Sequence, residues 1–119
     1  MKKLYYAHPI DIYNTPQELR DIIIIEKLFG KDYEINNPNS EHNEKEYKIY
    51  GMEYFTNQVK NCDLVVFRGY PTGMIPAGVF KEINVAIENG IPVIELPSLV
   101  GGRMSVEDTR QFIKEIGTR

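Results

Sequence analysis

The chain has 119 residues, a net charge of −3 and 42% hydrophobic residues, which describes one ordinary globular domain with a single core. The mild acidity offers no basic face for duplex nucleic acid, and the apolar run Ile22–Ile25 is far shorter than the roughly 20 residues of a membrane span. A single cysteine excludes an internal disulfide. Two histidines leave little for a histidine-based metal centre. The start of the chain does not resemble a signal peptide. We therefore predict a small, soluble, cytoplasmic protein.

Short apolar runs alternate along the chain with segments of helical periodicity. The clearest helix start is the capping box Thr15-Pro16-Gln17-Glu18, with proline at the first helical position, and Gly30 is the natural end of that helix. The clearest buried strand is Asp63-Leu64-Val65-Val66-Phe67. In chain order, the predicted elements are a strand at residues 4–7, a helix at 16–29, a strand at 33–35, a helix at 44–61, a strand at 63–67, a helix at 77–88, a strand at 91–96 and a helix from 105 to about 117.

This order of elements predicts the fold. A βαβαβαβα chain calls for a parallel sheet with right-handed crossovers and helices on both faces. The simplest arrangement is a single domain over residues 1–119, a three-layer α/β sandwich that is flavodoxin-like or Rossmann-like, with a four-stranded parallel sheet in the order 2-1-3-4. Ligands of such sheets bind outside the carboxyl ends of the strands, at the switch point between the first and third strands. The loops at residues 8–14 and 68–77 are therefore predicted to form a cleft.

Glu82 is the residue that the folding pattern explains least. Four apolar residues of the third helix recur at helical spacing and define a buried stripe: Val79, Ile83, Ala86 and Ile87. Glu82 falls inside this stripe. A carboxylate there is unusual unless it has a partner or lies in a cleft. The alternative is that an acidic residue near the helix start simply interacts with the helix dipole.

Other polar residues near the predicted cleft have both a functional and a structural interpretation. Tyr5 and Tyr6 point to opposite faces of the first strand, so one of them can reach a carboxylate above the sheet, or both pack in the core with satisfied hydroxyls. His8 either donates to a ligand hydroxyl or phosphate or fixes its own loop. Arg68 either holds a phosphate or carboxylate or pairs with a nearby acid.

The second helix is predicted to bring residues 47–54 level with the cleft, with Glu53 at the cleft edge. Its core face is marked by Met52, Thr56 and Val59. A separate stripe on the outward face consists of Tyr47, Tyr50 and Tyr54. In the first helix, Ile24 and Leu28 likewise lie on a different face from Leu19 and Ile23, which mark the predicted core face. Exposed aromatic and apolar stripes favour an interface, so we predict a homodimer or larger oligomer through these surfaces.

Three segments resemble the nucleoside 2-deoxyribosyltransferase-like family. Tyr5-Tyr6-Ala7-His8-Pro9 is similar to the Tyr-Leu-Ala-Gly-Pro of that family's first strand. Cys62-Asp63-Leu64-Val65-Val66 is similar to its Ala-Asp-apolar third strand. The segment from Gly78 to Ala86 is similar to its Gly-x-x-x-Glu-x-x-x-Ala helix, and Gly90-Ile91-Pro92-Val93 follows as it does in the family. The resemblance covers residues 4–96.

The resemblance implies an enzyme that acts on the N-glycosidic bond of a nucleoside or nucleotide, as a transferase or a hydrolase. Glu82 would be the nucleophile that attacks C1′ of the sugar, and Tyr5 would hydrogen-bond it. A second base or water would then take the sugar, with retention of configuration. We expect no cofactor and no metal, and composition and the short apolar runs argue against a membrane or duplex nucleic-acid partner. The remaining candidates for substrate binding lie at or beside the cleft: His8, Asp11, Glu53, Arg68, Gly69 and Gly78.

This chain departs from the family pattern at three positions. Pro76 stands where the family has an aspartate or a serine, Phe55 lies near the expected position of a second aspartate, and His8 replaces a glycine. Other carboxylates are then candidates for the acid that protonates the leaving base: Asp11, Glu53 and Glu95. The alternative is a non-catalytic nucleotide-binding or nucleotide-sensing module of the same fold.

Overall fold

The computed structural model describes residues 1–97 and 105–117 of the chain. Its strands are β1 (Lys2–Ala7), β2 (Tyr33–Asn36), β3 (Leu64–Phe67) and β4 (Val93–Glu95). Its helices are α1 (Pro16–Phe29), α2 (Glu41–Tyr50), α3 (Met52–Lys60), α4 (Ala77–Glu88) and α5 (Val106–Glu115), and a 3₁₀ turn (Ile10–Ile12) follows β1. All strand pairs are parallel and the sheet order is β2-β1-β3-β4. The predicted α/β fold and strand order are confirmed.

The core has two parts, one on each face of the sheet. Alternation along β1 sends Tyr5 and Ala7 to one face and Leu4 and Tyr6 to the other. The first face packs against residues of α3 and α4, and the second packs against Ile25 of α1. Helices therefore cover both faces, which gives the three predicted layers.

The ends of β1 and β3 set the position of the site. The two strands are neighbours, and Ala7 pairs with Phe67 at their carboxyl ends. The chain after β1 enters α1 on one face, whereas the chain after β3 enters α4 on the other face. Loops that leave neighbouring strands toward opposite faces open a crevice above the sheet.

The prediction of a single helix at residues 44–61 is wrong, because the chain forms α2 and α3 there. Gly51 separates them with φ 68° and ψ −155°, a conformation outside the helical region that glycine adopts readily. α2 also begins earlier than predicted, because the Ser40 side chain accepts a hydrogen bond from the Asn43 backbone N–H and caps the helix. The break changes the direction in which the tyrosines of this region point.

The predicted core face of the first helix is also wrong. Leu19 and Ile23 are exposed, whereas Glu18, Asp21 and Ile25 are the buried residues of α1. Two acidic residues occupy positions that face the interior, where hydrogen-bond partners satisfy them. Apolar periodicity alone therefore does not mark the buried side of this helix.

The last helix begins as predicted, since the Ser105 side chain caps α5 by accepting a hydrogen bond from the Asp108 backbone N–H. None of the described residues of α5 is buried. Within residues 1–97 and 105–117, no helix has the length and apolar character needed to cross a membrane.

Candidate active site

A cavity of about 470 Å³ lies at the predicted cleft, above the carboxyl ends of β1 and β3. Its walls come from the loop after β1, the beginning of α4, and parts of α2 and α3. Much of the lining is aromatic, from Tyr5, Tyr13, Tyr47, Phe55 and Tyr70. An aromatic, largely apolar cavity with a few polar groups is the usual environment for a small planar ligand.

Glu82 brings a carboxyl group to this cavity from the buried side of α4. Val79, Ile83 and Ala86 are buried as predicted, whereas Ile87, which the predicted stripe included, is exposed. Glu82 itself is only 6% exposed, and it lines the cavity. Burial raises the pKa of Glu82 to about 7, so its proton is exchangeable near neutral pH.

The hydroxyl of Tyr5 is the natural neighbour of this carboxyl. Tyr5 is fully buried, and its hydroxyl makes no well-aligned hydrogen bond within the described part of the chain. Burial, followed by the charge of Glu82 and a loose hydrogen bond to it, raises the pKa of Tyr5, and the same hydrogen bond opposes the rise in the pKa of Glu82. A buried hydroxyl bonded this loosely is uncommon and marks a position where a ligand or a small movement of Glu82 can complete the hydrogen bond.

His8 lines the cavity, but both of its ring nitrogens contact the protein. Nε2 lies 2.7 Å from Oε2 of Glu18, and Nδ1 lies 3.0 Å from the Tyr6 carbonyl oxygen. The imidazole also stacks on the Tyr6 ring, with centroids 3.7 Å apart, and is tilted against Tyr13. These contacts favour the interpretation of His8 as a residue that fixes its loop.

Arg68 does not line the cavity, because strand alternation places it on the α1 side of the sheet. Its Nη2 lies 2.6 Å from Oδ1 of Asp21, and its Nε lies 3.0 Å from Oδ2. The Tyr6 hydroxyl donates to the same carboxylate at 2.5 Å. The assignment of Arg68 to substrate binding is therefore not supported. The structure agrees with the other interpretation, in which Arg68 pairs with a nearby acid, here Asp21. Sequence reasoning missed Asp21, although its position one turn before Ile25 is the same signal that marked Glu82.

The other predicted binding residues divide into two groups. Asp11 and Gly78 line the cavity, and the exposed Asp11 accepts a hydrogen bond of 2.9 Å from the hydroxyl of Tyr70. Glu53 is exposed and does not line the cavity, because Met52 and Phe55 are the residues of α3 that turn toward it. Gly69 also lies outside the lining.

The predicted outward stripe of three tyrosines does not form. Tyr47 lines the cavity and packs against Phe55, and the Tyr54 hydroxyl donates to Oδ1 of Asn43 at 2.6 Å. Tyr50 remains largely exposed, at 62%. The break at Gly51 separates the directions of Tyr47 and Tyr54, and the glycine was the one sequence signal for it.

No group of three or more His, Cys, Asp or Glu side chains within residues 1–97 and 105–117 is arranged to hold a metal ion. The side chains of the cavity lining that can exchange a proton include Glu82, Asp11 and the tyrosine hydroxyls.

Comparison with known proteins connects this architecture to one enzyme fold. No protein-family model and no curated protein matches the sequence. Among solved structures, the chain is similar to a 2-desoxiribosyltransferase from Leishmania mexicana, with a TM-score of 0.57. The match covers 98% of this chain and 99% of that chain at 13% sequence identity. The chain therefore has a deoxyribosyltransferase-like fold, as the resemblance of its sequence implied.

Proposed function

We propose that the chain is an N-glycosidic-bond enzyme, a nucleoside deoxyribosyltransferase or hydrolase, with Glu82 as its nucleophile. The observation that carries the proposal is a carboxyl group 6% exposed, loosely hydrogen-bonded to the buried hydroxyl of Tyr5, in an aromatic cavity at the switch point of the sheet. A carboxyl with a strongly raised pKa in a cleft is typical of catalytic sites. The shared fold and the sequence resemblance support the same reaction class.

The proposed reaction proceeds by two displacements at C1′ of the sugar. A carboxylate oxygen of Glu82 attacks C1′, and the C1′–N bond breaks with its electron pair going to the base nitrogen, which takes up a proton. The product is a glycosyl ester of Glu82. A second base or a water molecule, each of which loses a proton, then attacks C1′, and the ester bond breaks to restore the carboxylate with overall retention.

Asp11 is the carboxyl group best placed to exchange a proton with the leaving base. Of the acid candidates, Asp11 lines the cavity, whereas Glu53 and Glu95 are exposed outside it. Its hydrogen bond to Tyr70 joins the loops that follow β1 and β3 and holds the group at the cavity mouth. Geometry within reach of the leaving group is the first requirement for a general acid.

The charge of the cavity favours an unphosphorylated substrate. Asp11 and Glu82 contribute carboxyl groups, and no lysine or arginine is among the residues known to line the cavity. Arg68 is committed to Asp21 on the other side of the sheet. We therefore expect nucleosides to react in preference to their 5′-monophosphates, because a phosphate would meet carboxylates without a compensating cation.

The proposal is tested by measuring release of the free base from purine and pyrimidine nucleosides and their 5′-monophosphates, with and without an acceptor base. We expect Glu82→Gln to reduce release by roughly 10³-fold or more, because an amide is a poor nucleophile. Glu88→Gln, an exposed change on the same helix, is the matched control and should leave release unchanged. Equal background release by the unaltered protein and Glu82→Gln across the whole panel would contradict the proposal.

A second candidate is a non-catalytic nucleotide-binding module that uses the same cavity. Pro76 favours it, because this residue caps α4 without a side-chain hydrogen bond at the position where the related enzymes carry an aspartate or a serine. This function predicts ligand-dependent thermal stabilisation without any base release. A melting temperature unaffected by every nucleoside and nucleotide of the panel would count against it.

A further inference from the structure

Glu18, a residue with no part in the proposed chemistry, is a junction of hydrogen bonds next to the cavity. It is 8% exposed and lies in the first turn of α1, within the capping box. Its carboxylate accepts from the Asn14 backbone N–H at 3.1 Å and from the Asn39 side-chain amide at 2.9 and 3.0 Å. The third contact is the imidazole of His8 at 2.7 Å. Nearly every acceptor position of this carboxylate is therefore used.

These contacts tie together chain segments that each lead directly to a wall of the cavity. His8 lines the cavity itself. Asn14 directly follows Tyr13, another lining residue. Asn39 immediately precedes Ser40, the residue that caps α2, and α2 carries Tyr47 into the lining. Glu18 thus connects the end of β1, the loop before α1 and the entry to α2.

The backbone turns sharply at Asn14, beside this connection. Asn14 has φ 61°, in the left-handed region, which asparagine tolerates better than most other residues with a side chain. Its N–H bond to Glu18 helps to hold that conformation. The same carboxylate fixes His8, whose ring packs against Tyr13 with centroids 4.6 Å apart. Both contacts constrain the position of Tyr13.

We infer that Glu18 is a positioning residue for the candidate site: its carboxylate holds Tyr13, His8 and the entry to α2 in the arrangement that shapes the cavity. The inference rests on the proposed function only for the choice of ligand in one of its tests. In every other respect it rests on the hydrogen bonds of the Glu18 carboxylate.

Two substitutions separate positioning by hydrogen bonds from the presence of a charge. Glu18→Gln retains the network, because the amide oxygen can accept from Asn14 and Asn39 while the amide nitrogen donates to Nε2 of His8. His8 then keeps its proton on Nδ1, beside the Tyr6 carbonyl oxygen. Glu18→Ala removes every contact. Glu26, exposed on the same helix, provides the control Glu26→Ala.

The first readout is backbone hydrogen exchange, which requires no ligand. We expect Glu18→Ala to speed exchange in residues 10–15 and 37–47 and to leave β3 and α4 unchanged. Glu18→Gln and Glu26→Ala should match the unaltered protein. Unchanged exchange in both segments of Glu18→Ala would overturn the inference. Should Glu18→Ala fail to fold, Asn39→Ala serves instead, since it removes the Asn39 amide bonds to Glu18 and to Oδ1 of Asn14 and leaves His8 on Glu18. Asn14→Gly, which removes only the Oδ1 acceptor, is its control. Faster exchange in residues 37–47 of Asn39→Ala but not of Asn14→Gly supports the inference, and no change in Asn39→Ala, or an equal change in both, overturns it.

The second readout is binding of 2′-deoxyadenosine. We expect Glu18→Ala to weaken binding about 10-fold and Glu18→Gln to restore it, because a displaced wall loses its fit to the ligand. Loss of binding in Glu18→Gln equal to that in Glu18→Ala would contradict positioning by hydrogen bonds. If the unaltered protein does not bind nucleosides, the proposed function loses its support, while the exchange measurement still decides the role of Glu18.

Discussion

Tyr5 and Tyr6 are neighbours on one strand, yet the two sides of the sheet treat their hydroxyl groups differently. On the α1 side, the Tyr6 hydroxyl donates to Asp21, which also pairs with Arg68. On the α4 side, the Tyr5 hydroxyl makes no well-aligned hydrogen bond in the described structure, only a loose one to Glu82, and the pKa of Glu82 is raised by burial. Buried polar groups with well-formed hydrogen bonds stabilise a fold, whereas buried groups that lack them are typical of sites that bind a ligand. We therefore propose that the α1 side has a structural role and the α4 side a chemical one.

The largest expected effect lies on the structural side. Arg68→Met leaves the fully buried Asp21 carboxylate without its cation, which we expect to lower the free energy of unfolding by about 3–5 kcal/mol. Urea unfolding measures this change. A loss smaller than about 1 kcal/mol would show that the two sides do not differ as described.

On the α4 side, we expect the substitution Glu82→Gln to raise the free energy of unfolding relative to the unaltered protein, by an amount similar to the loss in Arg68→Met. The pKa of Glu82 is about 7 in the folded chain and 4.5 ordinarily, so the folded state binds this proton more tightly than the unfolded state. The free energy of unfolding must then fall as the pH rises from about 4.5 to about 7 and level off above it. Glu82→Gln lacks this contribution.

We expect the stability of Glu82→Gln relative to the unaltered protein to increase by about 2–3 kcal/mol between about pH 5 and about pH 8. Comparing the two proteins cancels the titration of all other groups. The measurement is denaturant unfolding at both pH values. A difference in the free energy of unfolding that does not change with pH would mean that Glu82 is not held in an unfavourable environment.

Base release should also increase as the pH rises through about 7, since the nucleophile must be ionised.

A matched pair of smaller changes tests the two tyrosines directly. Tyr6→Phe removes a donor from the buried Asp21, and we expect a loss of about 1–3 kcal/mol in the free energy of unfolding. Tyr5→Phe removes a hydroxyl that is only loosely bonded to Glu82, so its stability should stay within about 0.5 kcal/mol or rise. Base release should fall in Tyr5→Phe. Equal stability losses in the two variants would remove the distinction between the sides.

The smallest expected effect concerns the outer surface, where we propose a homodimer or larger oligomer. Of the three tyrosines, Tyr50 alone stays largely exposed, and Leu19, Ile23 and Leu28 are exposed on α1. Exposed apolar residues of this kind favour an interface. Analytical ultracentrifugation at micromolar concentration should show a species heavier than the 13.8 kDa chain, and a monomer would contradict the proposal.

The fold was largely predictable because it depends on patterns that act locally. The capping box at Thr15, the apolar run of β3 and the alternation of strands and helices each determine an element without reference to the remainder of the chain. The strand order then follows from topology. The predicted domain extent and the cytoplasmic location stay predictions.

The site was predictable only where a residue broke the apolar pattern. Glu82 stood out because it interrupts a clear stripe, and it is buried as that interpretation requires. Asp21 interrupts the buried side of α1 in the same way. The sequence pattern did not reveal it, because the exposed Leu19 and Ile23 have the helical spacing expected of a core face. The pairing of Arg68 with Asp21 joins residues 47 positions apart, which spacing alone does not reveal. The inward turn of Tyr47 depends on the backbone angles of Gly51, a single residue within an otherwise helical pattern.

The most direct test of the account is a search for the covalent intermediate on Glu82. The protein is incubated with nucleosides fluorinated at C2′. The fluorine slows the second displacement, because it disfavours the positive charge that develops on the sugar. We predict an increase in the intact mass of the protein equal to one fluorinated sugar, located by peptide mapping on Glu82 and absent in Glu82→Gln. An adduct on another residue, or turnover without any adduct on Glu82, would contradict the central claim.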